Sequence, residues 1–353
     1  YIDDLLIAGE SKKDCEHALD VALQTMAKLG IPANEKTVKP KAPDVGIVFL
    51  GVHIRPADMR FTVSEEHRSY AISRLSEALR RKWATKGDLA SIAGVLTWIS
   101  FVFTPGLPRR QLIYYAARLG SSHDKSARVA IEGPLQRQMS WWRSALKAST
   151  FTGSRVWSRS ESPVIIPFRS DASGEDGWGA CIEGYHVVGP WPAALRHAHM
   201  LFQELLPVVL CLTLWSAAKP ESVFGVVLDN TGAMFSVNKM TCRDDISRRL
   251  LQQLASALDA GGHTAIASHV RRHRNQHTDD LSHALPGSWW RQIMRSQCSA
   301  NGAKHQHNWL FPFVIQDLQS GECRSGVFKM RRSLFGSGKF TAPESGGSAG
   351  MAH

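Results

Sequence analysis

The chain has 353 residues, of which 43% are hydrophobic, so it is long enough for two or three domains with separate cores. Its six cysteines are scattered singly without a C-x-x-C pair, which argues against a disulfide framework and a four-ligand zinc site. A reducing, intracellular compartment, cytoplasmic or nuclear, is therefore expected. The most apolar run, residues 201–218, includes Glu204 and Pro207 and is too short to cross a bilayer, so we expect no membrane partner.

The formal net charge is +11, and the sequence pI is near 9.5. Most of the excess lies in residues 52–150, which hold sixteen Lys and Arg against seven Asp and Glu. A basic block of this kind is typical of a surface that binds a polyanion. The simpler alternative is a solvated basic surface. Nucleic acid is thus the expected partner, and the composition gives no indication of the oligomeric state.

The first ten residues place Asp3 and Asp4 between two short apolar runs, as in a hairpin that turns at the two acids. Adjacent like charges repel each other, and a bound cation offsets that repulsion. An exposed turn is the alternative, since Asp is common in turns. The segments that follow make a metal site the stronger interpretation.

The sequence YIDD at residues 1–4 resembles the Tyr-x-Asp-Asp motif of reverse transcriptases, and the following segments keep the order of that polymerase's palm subdomain. An amphipathic helix is predicted over residues 12–29, with Gly30 ending it. The resemblance makes Lys36 a candidate for binding the phosphates of the incoming nucleotide. Residues 48–54 resemble the Phe-Leu-Gly strand of the primer grip. The resemblance therefore implies that residues 1–55 form the C-terminal part of a palm.

In that family, another metal-binding Asp and the fingers lie upstream of the Tyr-x-Asp-Asp motif. This chain opens on Tyr1 rather than Met, so we expect a fragment whose N-terminal part is missing. Two-metal catalysis needs ligands that hold both ions. Asp3 and Asp4 alone are therefore not expected to support polymerisation.

Residues 56–150 are predicted to be mainly helical, with a capping box at Thr85–Asp88. The resemblance assigns this block to the thumb and connection, which contact template and primer. Five basic residues are candidate phosphate contacts there, with surface charge as the simpler alternative for each: Arg80, Arg81, Lys82, Arg109 and Arg110. Residues 151–163, rich in Ser and without a clear period, are predicted to be a linker.

Strands alternate with helices over residues 164–285, and carboxylates stand at the ends of apolar elements. Asp171 follows an apolar run, Glu204 heads a uniformly apolar helix, and Asp229 ends another apolar run. A carboxylate held against apolar structure is costly without a partner, and no Lys or Arg lies within helical reach of Glu204. A shared divalent metal would compensate for that cost.

This order resembles ribonuclease H, whose metal-binding acids then match Asp171, Glu204 and Asp229. The segment Asn275–Ser282 resembles the family's last motif and aligns Asp279 as a fourth acid, with Asp280 as the alternative. His273 resembles the mobile histidine that helps the product leave. The resemblance implies two Mg2+ or Mn2+ ions and hydrolysis of the RNA strand of an RNA/DNA hybrid. Pro207, just after Glu204, is expected to kink that helix.

Two further features remain. His269, His273 and His277 are spaced four apart, but a strand predicted over Thr264–Val270 interrupts a helical face, which disfavours a zinc site there. Residues 286–353 lose periodicity and end in a Gly/Ser-rich stretch, so they are predicted to be a mostly disordered tail.

The complete prediction is an α/β (α+β) chain with three parts: a partial reverse-transcriptase palm, a helical thumb and connection, and a ribonuclease-H-like mixed sheet flanked by helices. Three segments of the sequence are most similar to DIRS-type retrotransposons: SDASGEDGWGA at residues 170–180, LDNTGA and Asn275–Ser282. The partner is expected to be an RNA/DNA hybrid or a template-primer. The alternatives are a degenerate remnant that binds nucleic acid without catalysis, and a transposase- or integrase-like nuclease.

Overall fold

The computed structural model describes residues 5–33, 46–58, 60–118, 124–148, 151, 154–156, 165–192, 195–196, 198–218, 221–283, 308–317, 319 and 323–331. Asp3, Asp4 and Lys36 lie outside these residues, so the polymerase roles assigned to them stay predictions. The chain divides into two compact units. Unit 1 comprises Tyr1–Phe103 and Leu112–Arg159, and unit 2 comprises Thr104–Gln111 and Ser160–His353.

The described elements from the N-terminus to residue 156 are α1 (Lys12–Lys28), β1 (Ile47–Phe49), β2 (Val52–Arg55), β3 (Arg60–Val63), α2 (Glu65–Arg81), β4 (Trp83–Thr85), α3 (Lys86–Val102), α4 (Gln111–Arg118), β5 (Arg128–Ala130), α5 (Gly133–Lys147) and β6 (Ser154–Val156). Strands β1, β2, β3 and β6 form an antiparallel sheet in that order, and β4 pairs with β5. The core of unit 1 is helical, with Leu75, Leu96 and Trp142 fully buried. The block predicted as helical therefore also contains short strands.

The strand predicted over residues 48–54 is instead a hairpin of β1 and β2. Leu50 and Gly51 form its turn with φ angles of 48° and 80°. Two successive residues with positive φ reverse the chain in a tight turn, which the uniformly apolar sequence conceals. The predicted helix α1 is present, but none of its residues is buried in the described structure. The predicted capping box at Thr85 and Asp88 also forms.

Unit 2 continues with β7 (Ile165–Ala172), β8 (Gly177–Ile182), β9 (Tyr185–Pro190), α6 (Met200–Ser216), β10 (Val223–Leu228), α7 (Thr231–Lys239), α8 (Asp245–Ala260), β11 (Thr264–His269), α9 (Gln276–His283), β12 (Asn308–Asp317) and β13 (Cys323–Arg331). Its sheet has the order β11-β10-β7-β8-β9-β12-β13. Strands β7, β10 and β11 run parallel, and the remaining pairs are antiparallel.

Helices cover both faces of this sheet. The even-numbered residues of β7 and β8, such as Phe168 and Ala180, join the core formed with α6 and α8. Helix α9 packs on the opposite face, where a Cβ on Gly179 would lie 2.5 Å from Cβ of Leu281. Only a glycine permits α9 to approach β8 so closely. The predicted mixed sheet flanked by helices, and with it the α+β fold class, is confirmed.

Two details of unit 2 bear on the predictions. Helix α6 continues from Met200 to Ser216 with Pro207 inside it, so the proline removes one backbone hydrogen bond without ending the helix. Strands β12 and β13 lie within residues 286–353, which were predicted to be mostly disordered. Strand β12 pairs with β9 and β13. Residues 308–317 are rich in aromatic and β-branched residues, which favour a strand. A strand that pairs with a sheet edge needs no helical period.

Among the described residues, no helix is both long and apolar enough to span a bilayer.

Candidate metal site

Three carboxylates from three separate elements of unit 2 converge at one end of the sheet. Asp171 is the penultimate residue of β7, Glu204 lies in the second turn of α6, and Asp229 directly follows β10. One carboxylate oxygen from each lies within 4.8 Å of the others. Oxygens at this separation can share metal ions.

Strand register explains why two of these acids lie side by side. Strands β7 and β10 are parallel, and Arg169 is opposite Val227. Asp171 and Asp229 each follow two residues later, so both carboxylates leave the sheet at the same edge. Asn230 fixes the chain beyond Asp229, because its Oδ1 accepts from the Ala233 N–H at 3.0 Å and caps α7.

Glu204 is one of two deeply buried acids in this group, the other being Asp171. Glu204 is 5% exposed, and its Oε2 has no hydrogen-bond partner among the described residues. Burial raises the pKa of Glu204 to about 9, with the charges of Asp171 and Asp229 acting in the same direction and Arg272 opposing them. A buried carboxyl oxygen without a partner is costly, and a cation at this point would supply the missing interaction.

Asp171 is also buried, at 5% exposed. Burial raises its pKa to about 6, and the charges of Asp229 and Asp279 add to that rise. The Ser282 hydroxyl donates to Asp171 Oδ2 at 3.2 Å, which opposes the shift by stabilising the carboxylate. Like charges crowded at one point favour either protonation or a bound cation.

The structure does not bring Asp279 into this group of three. Its side chain is 14% exposed, and Oδ1 accepts from Arg272 Nη2 at 2.9 Å. Its Oδ2 accepts from Gln276 Nε2 at 3.3 Å, and the same amide donates to Asp280 at 2.8 Å. Asp279 is near enough to raise the pKa of Asp171, whereas Asp280 is exposed. Both oxygens of Asp279 are thus engaged by neighbouring side chains.

The three histidines that are spaced four apart lie in three different elements. His269 ends β11, and its Nε2 lies 3.0 Å from the backbone oxygen of Asp229. His273 is exposed on a short 3-10 helix, Arg272–Arg274, and His277 is in the first turn of α9. The three histidines therefore share no face, as expected from the strand predicted over Thr264–Val270.

Several residues that position the site were not predicted. Asn275 is buried and donates from Nδ2 to the Ser170 carbonyl at 3.2 Å, which ties the start of α9 to β7. Gln203 donates to the carbonyls of Gly174, Leu195 and Arg196 and so fixes the chain beside Glu204. Gly179, which lets α9 approach β8, could have been identified from the sequence, because a glycine inside an apolar strand indicates a close backbone approach. The roles of Asn275, Gln203, Ser282 and Arg272 depend on tertiary contacts.

The donor set fits a hard divalent cation. Carboxylate oxygens suit Mg2+ and Mn2+, and the unpartnered oxygen of Glu204 lies in the group.

The candidate phosphate contacts of the basic block differ in exposure. Arg80, Arg81 and Lys82 are exposed at the end of α2, where they can meet a polyanion. Arg109 and Arg110 are half-buried, and burial lowers the pKa of Arg109 to about 10.

No family model matches this chain, and no curated protein matches its sequence. Among solved structures, the chain is similar to the ribonuclease H1 of the halophilic archaeon Halobacterium salinarum NRC-1 at 13% identity and a TM-score of 0.25, over 34% of this chain and 94% of that one. It is also similar to the foamy viral protease-reverse transcriptase in complex with an RNA/DNA hybrid, at 12% identity and a TM-score of 0.27, over 81% of this chain. That match covers 38% of the viral chain, so this chain spans well under half of its length.

Proposed function

We propose that unit 2 hydrolyses the RNA strand of RNA/DNA hybrids in a reaction that requires divalent metal ions. The observation that carries the proposal is the convergence of Asp171, Glu204 and Asp229, with a buried, unpartnered oxygen on Glu204. A structural protein gains nothing from three acids in this arrangement, because their repulsion and burial cost stability.

In this proposal the three carboxylates would hold two Mg2+ or Mn2+ ions, and Asp279 or Asp280 would supply a fourth carboxylate. When bound, such ions polarise the scissile phosphate and acidify the attacking water. Glu204, with a pKa of about 9, would have to give up its proton to hold a cation near neutral pH, whereas Asp171, with a pKa of about 6, is already mostly ionised there. Asp279 would coordinate a metal through lone pairs that its hydrogen bonds to Arg272 and Gln276 leave available. His273, exposed beside Arg272, would help the product leave.

Specificity for the hybrid would come from 2′-hydroxyl and phosphate contacts rather than from reading bases. The basic residues of the chain would add affinity that falls steeply with salt. The order of motifs supports an origin in a retroelement reverse transcriptase, most like the DIRS type. The polymerase roles of Asp3, Asp4 and Lys36 rest on the sequence resemblance.

The test is cleavage of a hybrid labelled on each strand by the full chain in Mg2+ and in Mn2+. We expect cleavage of the RNA strand alone. Asp229→Asn should lower the rate by about 10²-fold or more, the size of loss seen when one group that stabilises transition-state charge is removed.

Two matched variants serve as controls. Asp259→Asn removes an exposed carboxylate of α8, and Asp4→Asn removes a polymerase candidate. Both should cleave at the wild-type rate. Hybrid binding without cleavage in either metal would favour a non-catalytic remnant, and strand transfer into duplex DNA would favour a transposase-like nuclease.

A further inference from the structure

A second group of metal-ligating side chains lies in unit 2 and shares no residue with the carboxylates. Ligand atoms of Cys181, His186 and His277 all lie within 4.8 Å of one another. The Nε2 atoms of the two histidines are 2.7 Å apart, and their ring centroids are 4.6 Å apart. The proposed hydrolysis of RNA assigns no role to any of these three residues.

The β8–β9 hairpin sets the position of two members. Cys181 and His186 are direct partners across the two strands, so their side chains stand next to each other on one face of the sheet. Glu183 and Gly184, with φ angles of 47° and 81°, make a tight turn that fixes this register. Cys181 and His186 are both half-buried, so a small ion can reach them.

Helix α9 brings the third member from a distant part of the sequence. His277 lies in the first turn of α9, on the face of the sheet that carries Cys181. The buried Asn275 anchors the start of α9 to the Ser170 carbonyl, and the Thr278 hydroxyl donates to the Asn275 carbonyl at 2.9 Å. His277 is therefore held beside the hairpin by contacts that do not involve its own ring.

We propose that Cys181, His186 and His277 bind a zinc ion, with the fourth position of the tetrahedron open to water. Thiolate and imidazole are the preferred ligands of zinc, whereas the all-oxygen carboxylate site suits Mg2+. Ligand atoms of a tetrahedral zinc stand about 3.3 Å apart or slightly more, given bonds of about 2.0–2.3 Å. The imidazoles need to separate by less than about 1 Å to admit the ion.

The surroundings of the thiol also bear on binding. Burial raises the pKa of Cys181 to about 11, and the charge of Arg169 on the neighbouring strand opposes that rise. Zinc would therefore replace the thiol proton, which leaves to solvent. Arg169 also donates to the Arg274 carbonyl at 3.2 Å.

A zinc ion here would tether the first turn of α9 to the β8–β9 hairpin. The same helix carries Asp279 and Ser282, whose hydroxyl donates to Asp171. The tether would thus fix the helix that borders the carboxylates, although the zinc site stands on its own observations and not on the proposed hydrolysis.

The experiment titrates the metal-free full chain with Zn2+ and separately with Co2+, in excess Mg2+ so that the carboxylates are occupied. One equivalent should bind, and the Co2+ form should show tetrahedral d–d bands with thiolate-to-cobalt charge-transfer absorption. Cys181→Ser should abolish the charge-transfer absorption. His186→Gln and His277→Gln should each weaken Zn2+ binding at least about tenfold, since even outer-sphere partners contribute about 10- to 100-fold.

Cys15→Ser and His17→Gln in α1 are the matched controls and should bind as the wild type does. Circular dichroism of each metal-free variant separates loss of ligand from loss of fold. Charge-transfer absorption that survives in Cys181→Ser overturns the proposal. A variant that combines Cys181→Ser, His186→Gln and His277→Gln also tests it. If the wild type bound Zn2+ no more tightly than this variant, the proposal would be wrong and the contact between the histidines would be packing only.

Discussion

Asp88 of unit 1 and Glu204 of unit 2 are carboxylates in opposite surroundings. In unit 1, Asp88 lies at the first turn of α3, where its carboxylate accepts from Thr85 and pairs with Arg74. In unit 2, Glu204 is buried with other acids, and the described structure gives its Oε2 no partner. Hydrogen bonds from Thr85 lower the pKa of Asp88, with Arg74 adding to that effect, whereas burial raises the pKa of Glu204. The hydrogen bonds and ion pair of Asp88 stabilise its fold, whereas the burial of an unpartnered oxygen of Glu204 lowers stability.

The largest expected difference is the dependence of stability on pH without metal. Folded Glu204 keeps its proton up to about pH 9, whereas the unfolded residue loses it near its ordinary value of 4.5. The folded state then binds more protons, so the free energy of unfolding should fall as the pH rises between those values. Glu204→Gln should remove this decline and exceed the wild type by on the order of several kcal/mol at pH 9. Urea denaturation across that range measures the difference.

Asp88→Asn gives the opposite pattern and is the matched variant. The pKa of Asp88 lies below its ordinary value of 3.8, so its contribution is present above that pH and is lost as the pH falls through the folded value. The variant should be less stable at neutral pH and approach the wild type in acid. If Glu204→Gln followed the wild-type curve throughout, Glu204 would not be protonated in the metal-free fold. Added Mg2+ should flatten the decline of the wild type.

The carboxylate site was predictable because its signal is local. Asp171 and Asp229 each follow an apolar run, and parallel neighbouring strands deliver such ends to one edge. Glu204 heads a run too apolar to be exposed, which indicates burial directly. The sequence does not indicate that Cys181 lies beside His186, because neither C-x-x-C spacing nor helical spacing reveals residues that pair across two strands. The Arg272–Asp279 pair depends on the turn from the 3-10 helix into α9, which no pattern in the sequence specifies.

The fold, like the candidate site, was predictable only in part. The order of strands and helices over residues 164–285 followed from their periodicity, and so did the fold class. The β1–β2 hairpin was read as one strand, because Leu50 gives no sign of its positive φ. The prediction of a mostly disordered tail did not anticipate β12, whose hydrogen bonds join it both to β13, the next strand, and to β9, more than a hundred residues earlier. The pairing with β9 leaves no local pattern in the sequence.

A smaller effect is expected from two glycines with different surroundings. A Cβ on Gly179 would lie 2.5 Å from Leu281 Cβ and 2.9 Å from the backbone nitrogen of Ser282, so α9 would have to move. Gly179→Ala should cost about 1–3 kcal/mol, as overpacking does, and should lower hybrid cleavage because Ser282 contacts Asp171. Thermal unfolding and cleavage of the labelled hybrid are the measurements.

Gly94→Ala in α3 is the control for that change. Nothing lies within 4 Å of a Cβ built there, and alanine favours a helix over glycine by about 1 kcal/mol. This variant should be more stable than the wild type and cleave equally well. Unchanged stability in Gly179→Ala would show that α9 does not pack against β8 as described, and a loss of stability in Gly94→Ala would contradict the control.

The smallest expected effect on stability comes from removing a helix cap, and the two units each offer a cap for comparison. Thr85 Oγ1 accepts from the Asp88 N–H at 3.0 Å in unit 1, and Asn230 Oδ1 accepts from the Ala233 N–H at 3.0 Å in unit 2. Replacing either cap by alanine should cost about 1 kcal/mol of stability. Only Asn230→Ala should also lower cleavage, by about tenfold or more, because Asn230 adjoins Asp229 and a shift of about 1 Å at a reacting group can cost about 10²-fold. Equal stability losses with unequal cleavage would show that the cap of α7 positions a carboxylate. Equal cleavage by both variants would mean that β10 alone holds Asp229 in place.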